Sequence, residues 1–231
     1  MNLKQLALPA LLGVLAACAG AVPAGAVVNG AAVDPATVPW FGSVGGCGAT
    51  LVAADRMLTA AHCVAGQTTD RLGVSVAGAA HAATHVAMHP NWRRRNGTSN
   101  FLDDVAIVAF AGPVSGVPFV TLGGADVREA MILGRGRRYA PGSGHSEASS
   151  LDSTLRGAPL KTISDRTCAR MFKGVRISTL ERFDARMRCS IDGDGRKPLY
   201  SGCFGDSGGP LWTARLRAMC ARHARRSATA G

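Results

Sequence analysis

The chain has 231 residues, a length that allows one large domain or two small ones. Hydrophobic residues make up 47% of it but aromatic residues only 5%, so we expect a core built mostly from aliphatic side chains and alanine. The net charge of +11 sits in arginine runs without interleaved aromatic residues. We therefore expect a solvated basic surface and no specific nucleic-acid partner.

The first 26 residues have the pattern of a secretory signal. A positive charge precedes an apolar stretch from Leu6 to Ala17, and small residues follow it. That stretch is shorter than the roughly 20 apolar residues of a membrane span, and no later segment is long enough. We therefore expect a secreted protein without a transmembrane segment. Small-x-small motifs at Ala19-Gly20-Ala21 and Ala24-Gly25-Ala26 are both candidate cleavage sites, and cleavage at the second would release Val27. The alternative is a lipid anchor at Cys18, which ends a lipobox-like sequence.

Short apolar or alternating runs separated by turn residues follow the signal, which is typical of an all-β fold. The predicted strands are Gly48–Val52, Leu72–Val76, Val86–Met88, Val105–Phe110, Val117–Leu122 and Ala130–Leu133. One short helix is predicted over Ser164–Phe172, capped by Ser164 or Asp165. Residues 136–150 indicate a polar surface loop, and a division into two lobes is expected within residues 112–134.

Cysteine usage indicates an oxidising compartment. Seven cysteines are present, and removal of Cys18 with the signal leaves an even number, which in an exported chain predicts three disulfides. The remaining cysteines are Cys47, Cys63, Cys168, Cys189, Cys203 and Cys220. Many pairings are possible, and composition alone leaves them open.

Three local patterns carry candidate chemistry. His62 follows an apolar run of small residues, Asp103 and Asp104 open an apolar strand, and Ser207 lies in Gly-Asp-Ser-Gly-Gly-Pro. Together they supply a base, an orienting carboxylate and a nucleophile for acyl transfer. A serine hydroxyl needs an imidazole to take its proton, and the carboxylate fixes the imidazole tautomer. The glycines allow backbone N–H groups to face the developing oxyanion.

The order of these residues separates two folds. The sequence Gly205-x-Ser207-x-Gly209 also fits the nucleophile elbow of α/β-hydrolases, in which the acid and the histidine follow the serine. Here no Asp or Glu follows Ser207, and the only later histidine is His223. The order histidine, aspartate, serine therefore favours the chymotrypsin arrangement.

From Val27 to Trp212 the sequence resembles the trypsin/chymotrypsin family of serine peptidases. The matching stretches are Val27–Gly30, Cys47–Leu51, Thr59–Cys63, Met88–Trp92, Asp104–Val108, Met187–Cys189 and Gly205–Pro210. The resemblance implies two six-stranded antiparallel Greek-key β-barrels with the active site between them. It implies a serine endopeptidase that acts on protein or peptide substrates through an acyl-enzyme, as a monomer, without a cofactor or metal.

The resemblance also assigns roles to single residues. It implies that His62 is the general base, that Asp104 rather than Asp103 orients it, and that Ser207 is the nucleophile. The backbone N–H groups of Gly205 and Ser207 would form the oxyanion hole.

Activation and specificity follow from the same resemblance. It implies that a freed Val27 amine pairs with Asp206, and that Ser201 lies at the base of the specificity pocket. A serine at that position suggests apolar or aromatic P1 residues, whereas an aspartate would select Arg or Lys. The implied disulfides are Cys47–Cys63, Cys168–Cys189 and Cys203–Cys220.

Two stretches depart from the family pattern. Residues 213–231 form an Arg- and Ala-rich tail without an evident β pattern, so we expect the second barrel to be incomplete, as after a reading-frame shift or truncation. The sequence Gly134-Arg135-Gly136 stands where Gly-Trp-Gly is commoner, and we expect it to be only a surface loop.

Three other functions remain as alternatives. The chain would be an inactive homologue that acts as a binding protein if the second barrel does not fold. His81, His85 and His89 would share one face of a helix as metal ligands, although the segment has strand character and Pro90 would end a helix. The arginine runs would suit an anionic surface, which salt-dependent retention on heparin would reveal.

Overall fold

The fold is mostly β and contains two sheets that matter for the site. The structure, a computed structural model, describes residues 27–92, 94–95, 98–99, 102–123, 128–137, 153–173, 187–193, 195, 199–213 and 217–220. The predicted signal with Cys18 and most of the predicted loop 136–150 lie outside these residues.

Fifteen strands and four short helical segments make up the described part of the chain. The strands are β1 (Ala31–Ala32), β2 (Phe41–Val44), β3 (Cys47–Ala53), β4 (Arg56–Thr59), β5 (Gly73–Val76), β6 (Ala79–Met88), β7 (Arg94–Arg95), β8 (Thr98–Ser99), β9 (Ala106–Phe110), β10 (Thr121–Leu122), β11 (Glu129–Gly134), β12 (Arg156–Ile163), β13 (Cys189–Asp192), β14 (Pro210–Thr213) and β15 (Arg217–Cys220). The helices are α1 (Ala61–Val64) and α2 (Asp165–Phe172), with 3₁₀ turns at Pro35–Thr37 and Thr69–Arg71.

The first lobe is a closed antiparallel barrel in the order β2-β3-β4-β9-β6-β5. Alternating side chains fill its interior, and Met57 on β4 lies opposite Val108 on β9 with both fully buried. Closure pairs every strand on both sides, so the barrel has no exposed edge. It therefore gives the residues that follow β4 and precede β9 a rigid base.

The second lobe is an open sheet rather than a closed barrel. Its strand order is β1-β12-β11-β14-β15-β10, and β13 also pairs with β12. A small core lies on this sheet, formed by Val27, Ala130, Ile132, Ala158, Leu160 and Leu211. The sequence prediction of a two-lobed all-β fold with an incomplete second barrel is confirmed in this form.

The tail contributes more to the sheet than the sequence predicts. Arg217–Cys220 pairs antiparallel with β14 and parallel with β10. The expectation that residues 213–231 contain no β structure is therefore wrong for this strand. Pairing with a neighbouring strand overrides the weak local propensity of an Arg- and Ala-rich sequence.

Several local predictions can be compared directly with the structure. The predicted helix is present as α2, and the Ser164 hydroxyl caps it by accepting a hydrogen bond from the Thr167 amide at 3.3 Å. Of the predicted strand Val117–Leu122, only Thr121–Leu122 is a strand. The helical face proposed for His81 and its neighbours does not exist, because Ala79–Met88 is extended.

Candidate active site

The position of His62 is fixed by the end of β4 and by a disulfide. After β4, Ala60 is extended and the single turn α1 carries His62. Cys63 in the same turn is bonded to Cys47 on β3, with an S–S distance of 2.10 Å. The turn is thus held by a strand and by a covalent cross-link, and this disulfide is one of the two implied pairings that the structure contains.

The acid reaches His62 through strand pairing. β4 and β9 are antiparallel neighbours, and Thr59 lies opposite Ala106. Residues just after β4 therefore lie beside residues just before β9. Asp103 adopts a positive φ of 54°, which turns the chain so that Asp104 enters this junction.

Asp104 binds His62 with both carboxylate oxygens. Its Oδ2 lies 2.6 Å from Nδ1 of His62, and its Oδ1 accepts the His62 backbone N–H at 2.8 Å. The Asp104 side chain is only 6% exposed. A buried carboxylate at Nδ1 favours the tautomer with the proton on Nδ1, which leaves Nε2 able to accept a proton. Of the two adjacent aspartates, Asp104 is thus the one whose carboxylate contacts His62.

The Ser207 segment packs against the same junction. The Ser207 carbonyl accepts a hydrogen bond from the Gly48 amide at 2.8 Å. Gly208 has a φ of 74°, and a Cβ added there would meet Thr59 Oγ1, the Gly48 carbonyl and the Ala60 amide. A residue with a side chain would therefore separate the nucleophile segment from the histidine turn.

The structure does not bring the Ser207 hydroxyl into a hydrogen bond with His62 among the described residues. Instead, Nε2 of His62 lies 3.5 Å from Cys63 Sγ. Hydrogen bonds between catalytic groups are often long before substrate binds and tighten in the complex. His62 and Asp104 are thus already in contact, and Ser207 lies on the adjoining segment.

Asp206 is a fully buried carboxylate held by backbone amides. Its Oδ1 accepts from the Gly136 N–H and its Oδ2 from the Cys203 N–H, both at 2.8 Å. The Val27 backbone also bonds to it. Burial raises the pKa of Asp206 to about 6, and the three backbone hydrogen bonds oppose this rise because they favour the charged form.

The segment Gly134-Arg135-Gly136 forms one wall around Asp206. Both glycines are buried, and a Cβ at Gly134 would collide with the carboxylate. The expectation that this segment is only a surface loop is therefore wrong. The two glycines that flank Arg135 could have indicated a close backbone contact, but the partner, Asp206, lies seventy positions from Gly136 in the sequence.

Val27 is inserted into the second lobe. It is fully buried, and its neighbour Val28 donates a hydrogen bond to the Ser201 carbonyl at 2.8 Å. The following strand β1 pairs with β12. Because a peptide bond joins Val27 to Ala26 in this sequence, its nitrogen is an uncharged amide here.

Comparison with known proteins agrees with this geometry. The family model described as Trypsin matches residues 27–219, which is most of the chain and extends past Trp212, where the resemblance was expected to end. The chain belongs to the trypsin family. Members of this family are serine endopeptidases, and the family fold explains the barrel and the sheet.

Among the family's curated members, chymotrypsin-like elastase family member 1 from Homo sapiens is 30% identical over 178 residues, which cover 71% of this chain and 63% of the relative. The Rattus norvegicus elastase of the same name is 29% identical over 175 residues, covering 71% and 61%. Kallikrein-11 from Homo sapiens is 28% identical over 202 residues, covering 80% and 66%. The chain thus spans less than two thirds of the length of these relatives.

A solved structure of mouse neuropsin, described as a serine protease expressed in the limbic system, is similar in fold. The TM-score is 0.61 and the sequence identity 22%, with 85% of this chain and 84% of that chain covered. At this identity the likeness concerns the fold alone.

A cleft of about 230 Å³ opens beside Gly205 of this trypsin-family chain. Its lining includes Phe41, Ser43, Cys47, Gly48, Arg135 and Gly205. Ser201, the predicted base of the specificity pocket, is half-buried and lies outside this lining. The cleft and the predicted pocket are therefore two different places.

The three cysteines Cys168, Cys189 and Cys203 lie in the second half of the described chain. The structure contains Cys168–Cys189, which joins α2 to β13. Cys203 forms no disulfide with a described side chain, and the side chain of Cys220 is outside the described residues, so that pairing stays a prediction.

Within the part of the chain that the structure describes, one group of metal-ligating residues lies close together, namely Cys47, His62 and Cys63. Because the two sulfurs are bonded to each other, no thiolate is present to bind a metal ion there. Also within that part, no helix is long and apolar enough to cross a bilayer.

Proposed function

We propose that the chain is a secreted serine endopeptidase in which His62, Asp104 and Ser207 form the catalytic triad. The observation that carries this proposal is the two-point contact between the buried Asp104 carboxylate and His62. In the proposed triad, a histidine held in this way accepts and returns a proton at Nε2.

The reaction follows from these positions. His62 Nε2 takes the proton of the Ser207 hydroxyl while Oγ attacks the scissile carbonyl, and Asp104 stabilises the imidazolium that forms. The tetrahedral intermediate collapses as Nε2 gives its proton to the leaving amine, which leaves an acyl-enzyme. Water, deprotonated by His62, then attacks the ester and releases the acid and the free serine.

The backbone N–H groups of Gly205 and Ser207 stabilise the oxyanion in this proposal. Gly205 has a φ of 92°, a conformation that residues with a side chain rarely adopt. The glycine therefore allows the backbone turn that this proposal requires at the donor amide. One donor of this kind contributes roughly 2.7–4 kcal/mol to the transition state.

Activation is proposed to occur when the bond before Val27 is cut. The new ammonium replaces an amide that already bonds to Asp206, and its charge neutralises a buried carboxylate. Because Asp206 is adjacent to Ser207 and binds Gly136, this ion pair would fix the backbone of residues 205–207, here called the oxyanion segment. Signal cleavage after Ala26 would supply the cut, and lipidation at Cys18 would prevent it.

Substrates are proposed to be proteins or peptides with an apolar or aromatic P1 residue. The support is Ser201, a small uncharged residue at the predicted pocket base, which lies next to the inserted segment through its contact with Val28. An acidic residue at position 201 would favour Arg or Lys at P1, but this chain has a serine there.

The open second sheet supports one other function, that of an inactive homologue that binds peptides without cutting them. Both candidates are tested by chromogenic peptide hydrolysis and by labelling with a fluorophosphonate probe. The chain beginning at Val27 should hydrolyse the peptide and be labelled, the S207A variant should do neither, and the S190A variant should behave like the parent. Ser190 is an exposed strand residue and serves as the matched control. Labelling that persists in S207A, or its absence in the parent, refutes the peptidase.

A further inference from the structure

We propose that Arg135 binds an acidic side chain of the substrate on the leaving-group side of the scissile bond. This inference rests on the proposed peptidase function. It assigns a preference for Asp or Glu directly after the bond that is cut, in addition to the apolar or aromatic P1 residue.

The backbone of Arg135 is held in place from both sides. Gly134 is packed against the Asp206 carboxylate, and Gly136 donates its N–H to the same carboxylate at 2.8 Å. Gly136 also packs closely against residues 204 and 205. A Cβ on Gly136 would meet the Phe204 carbonyl at 2.5 Å, and a Cβ on Gly205 would meet the Gly136 Cα at 2.9 Å. Arg135 therefore keeps a fixed relation to the oxyanion segment.

The side chain of Arg135 extends along the cleft. Its Cζ lies 5.6 Å from the centroid of the Phe41 ring, in the range of a cation–π contact. The ring and the Cys47 sulfur supply an apolar wall, and Gly205 lies on the same cleft. The stacking orients the guanidinium and leaves its N–H groups available for a planar acceptor.

Among the described residues, the positive charge of Arg135 has no acidic partner in the cleft. The residues that line it include no Asp or Glu, and Arg135 makes no ion pair with any described residue. Arg135 is exposed, so solvent screens its charge, and its contact with the Phe41 ring is what holds the guanidinium at the cleft. A carboxylate is the group that matches its geometry, because a guanidinium forms two parallel hydrogen bonds with it.

The position of the cleft indicates which part of a substrate enters it. The cleft lies between β2 and β3 of the first lobe and Arg135 and Gly205 of the second, whereas Ser201, which lies beside Val28, does not line it. A peptide whose carbonyl oxygen faces the Gly205 N–H, and whose P1 side chain points to Ser201, extends its other end into the cleft. That end carries the leaving amine.

Arg137 provides a matched control. It carries the same charge two positions further on, and its Cζ lies 5.3 Å from the Phe204 ring. It does not line the cleft. A general electrostatic effect of the basic loop would depend on both arginines, whereas a contact in the cleft depends on Arg135 alone.

The test measures binding, so that it does not depend on turnover. The S207A chain that begins at Val27 is titrated with two fluorescent peptides that share an aromatic P1 residue and differ only in Glu or Gln after the bond. We expect the Glu peptide to bind about fivefold to tenfold more tightly. The variant S207A/R135Q should bind the two peptides equally, and S207A/R137Q should keep the preference.

The role of Arg135 is overturned if S207A binds the two peptides with equal affinity or binds neither measurably. It is also overturned if the preference for the Glu peptide survives in R135Q, or if R137Q loses that preference to the same extent as R135Q. The proposed function is judged separately by hydrolysis with Ser207 intact. Hydrolysis without a Glu preference refutes only the inference, and a Glu preference without hydrolysis refutes only the peptidase.

Discussion

The buried carboxyl of Asp206 makes the stability of the uncut chain depend on pH in an unusual direction. Asp206 is fully buried, and its pKa in the folded chain is raised from 3.8 to about 6. Between these values the folded state holds a proton that the unfolded state has released. The stabilisation is therefore fully present below pH 3.8 and is lost as the pH rises through about 6. The difference corresponds to about 3 kcal/mol of unfolding free energy.

Urea unfolding measures this effect. The S207A chain that retains the peptide bond before Val27 is unfolded at pH 4 and at pH 7, and the same is done with S207A/D206N. The asparagine lacks the titration, and its lost hydrogen bond to the Cys203 amide costs the same at both pH values. The drop in unfolding free energy from pH 4 to pH 7 should therefore be about 2 kcal/mol larger for S207A, which is less than the full difference because the unfolded carboxyl is already partly ionised at pH 4.

The chain that begins at Val27 should behave differently. Its ammonium, with an unperturbed pKa of about 7.7–8.0, favours the charged form of Asp206 and lowers the pKa of that carboxyl. The loss of stability between pH 4 and pH 7 should then shrink or reverse. An identical pH response of S207A and S207A/D206N in the uncut chain would refute the reasoning, and so would an unchanged loss in the chain with the free amine.

Three further substitutions test single contacts. D104N should lower kcat about 10⁴-fold with little change in KM, because the amide stabilises the wrong His62 tautomer; a loss below tenfold would contradict this role. G208A should lower the unfolding free energy by more than about 1 kcal/mol, because φ is 74° and the new Cβ meets Thr59 Oγ1, and thermal unfolding at the parent's midpoint would contradict it. S164A should cost about 1 kcal/mol in urea unfolding by removing the cap from the Thr167 amide, with peptide hydrolysis unchanged; full stability would show that the cap contributes nothing.

The elements that the sequence predicts well are those set by local chemistry. A serine followed by a short amphipathic segment predicted the capped helix α2, because capping involves only residues three positions apart. Asp104 could be chosen over Asp103 from the family motif, and in the structure Asp104 is the aspartate that contacts His62. These cases need no knowledge of distant parts of the chain.

The features that the sequence did not reveal depend on distant partners. The strand Arg217–Cys220 has little β propensity of its own and exists because β14 offers it hydrogen-bond partners. Arg135 looked like a loop residue because its support is a carboxylate at position 206. His81 and His85 had a spacing that suits a helix face, but barrel closure requires that segment to be a strand.

The division of the site between two sheets has a consequence for how this chain fails. His62 follows β4 and Asp104 precedes β9 of the closed barrel, while Ser207 lies just before β14 of the open sheet and is joined to them through the Gly48 and Gly208 contacts. If the weaker half unravels, the intact half retains a proton acceptor but no attacking oxygen. Damage to the open sheet would therefore leave a molecule without the proposed peptidase activity rather than one of altered specificity.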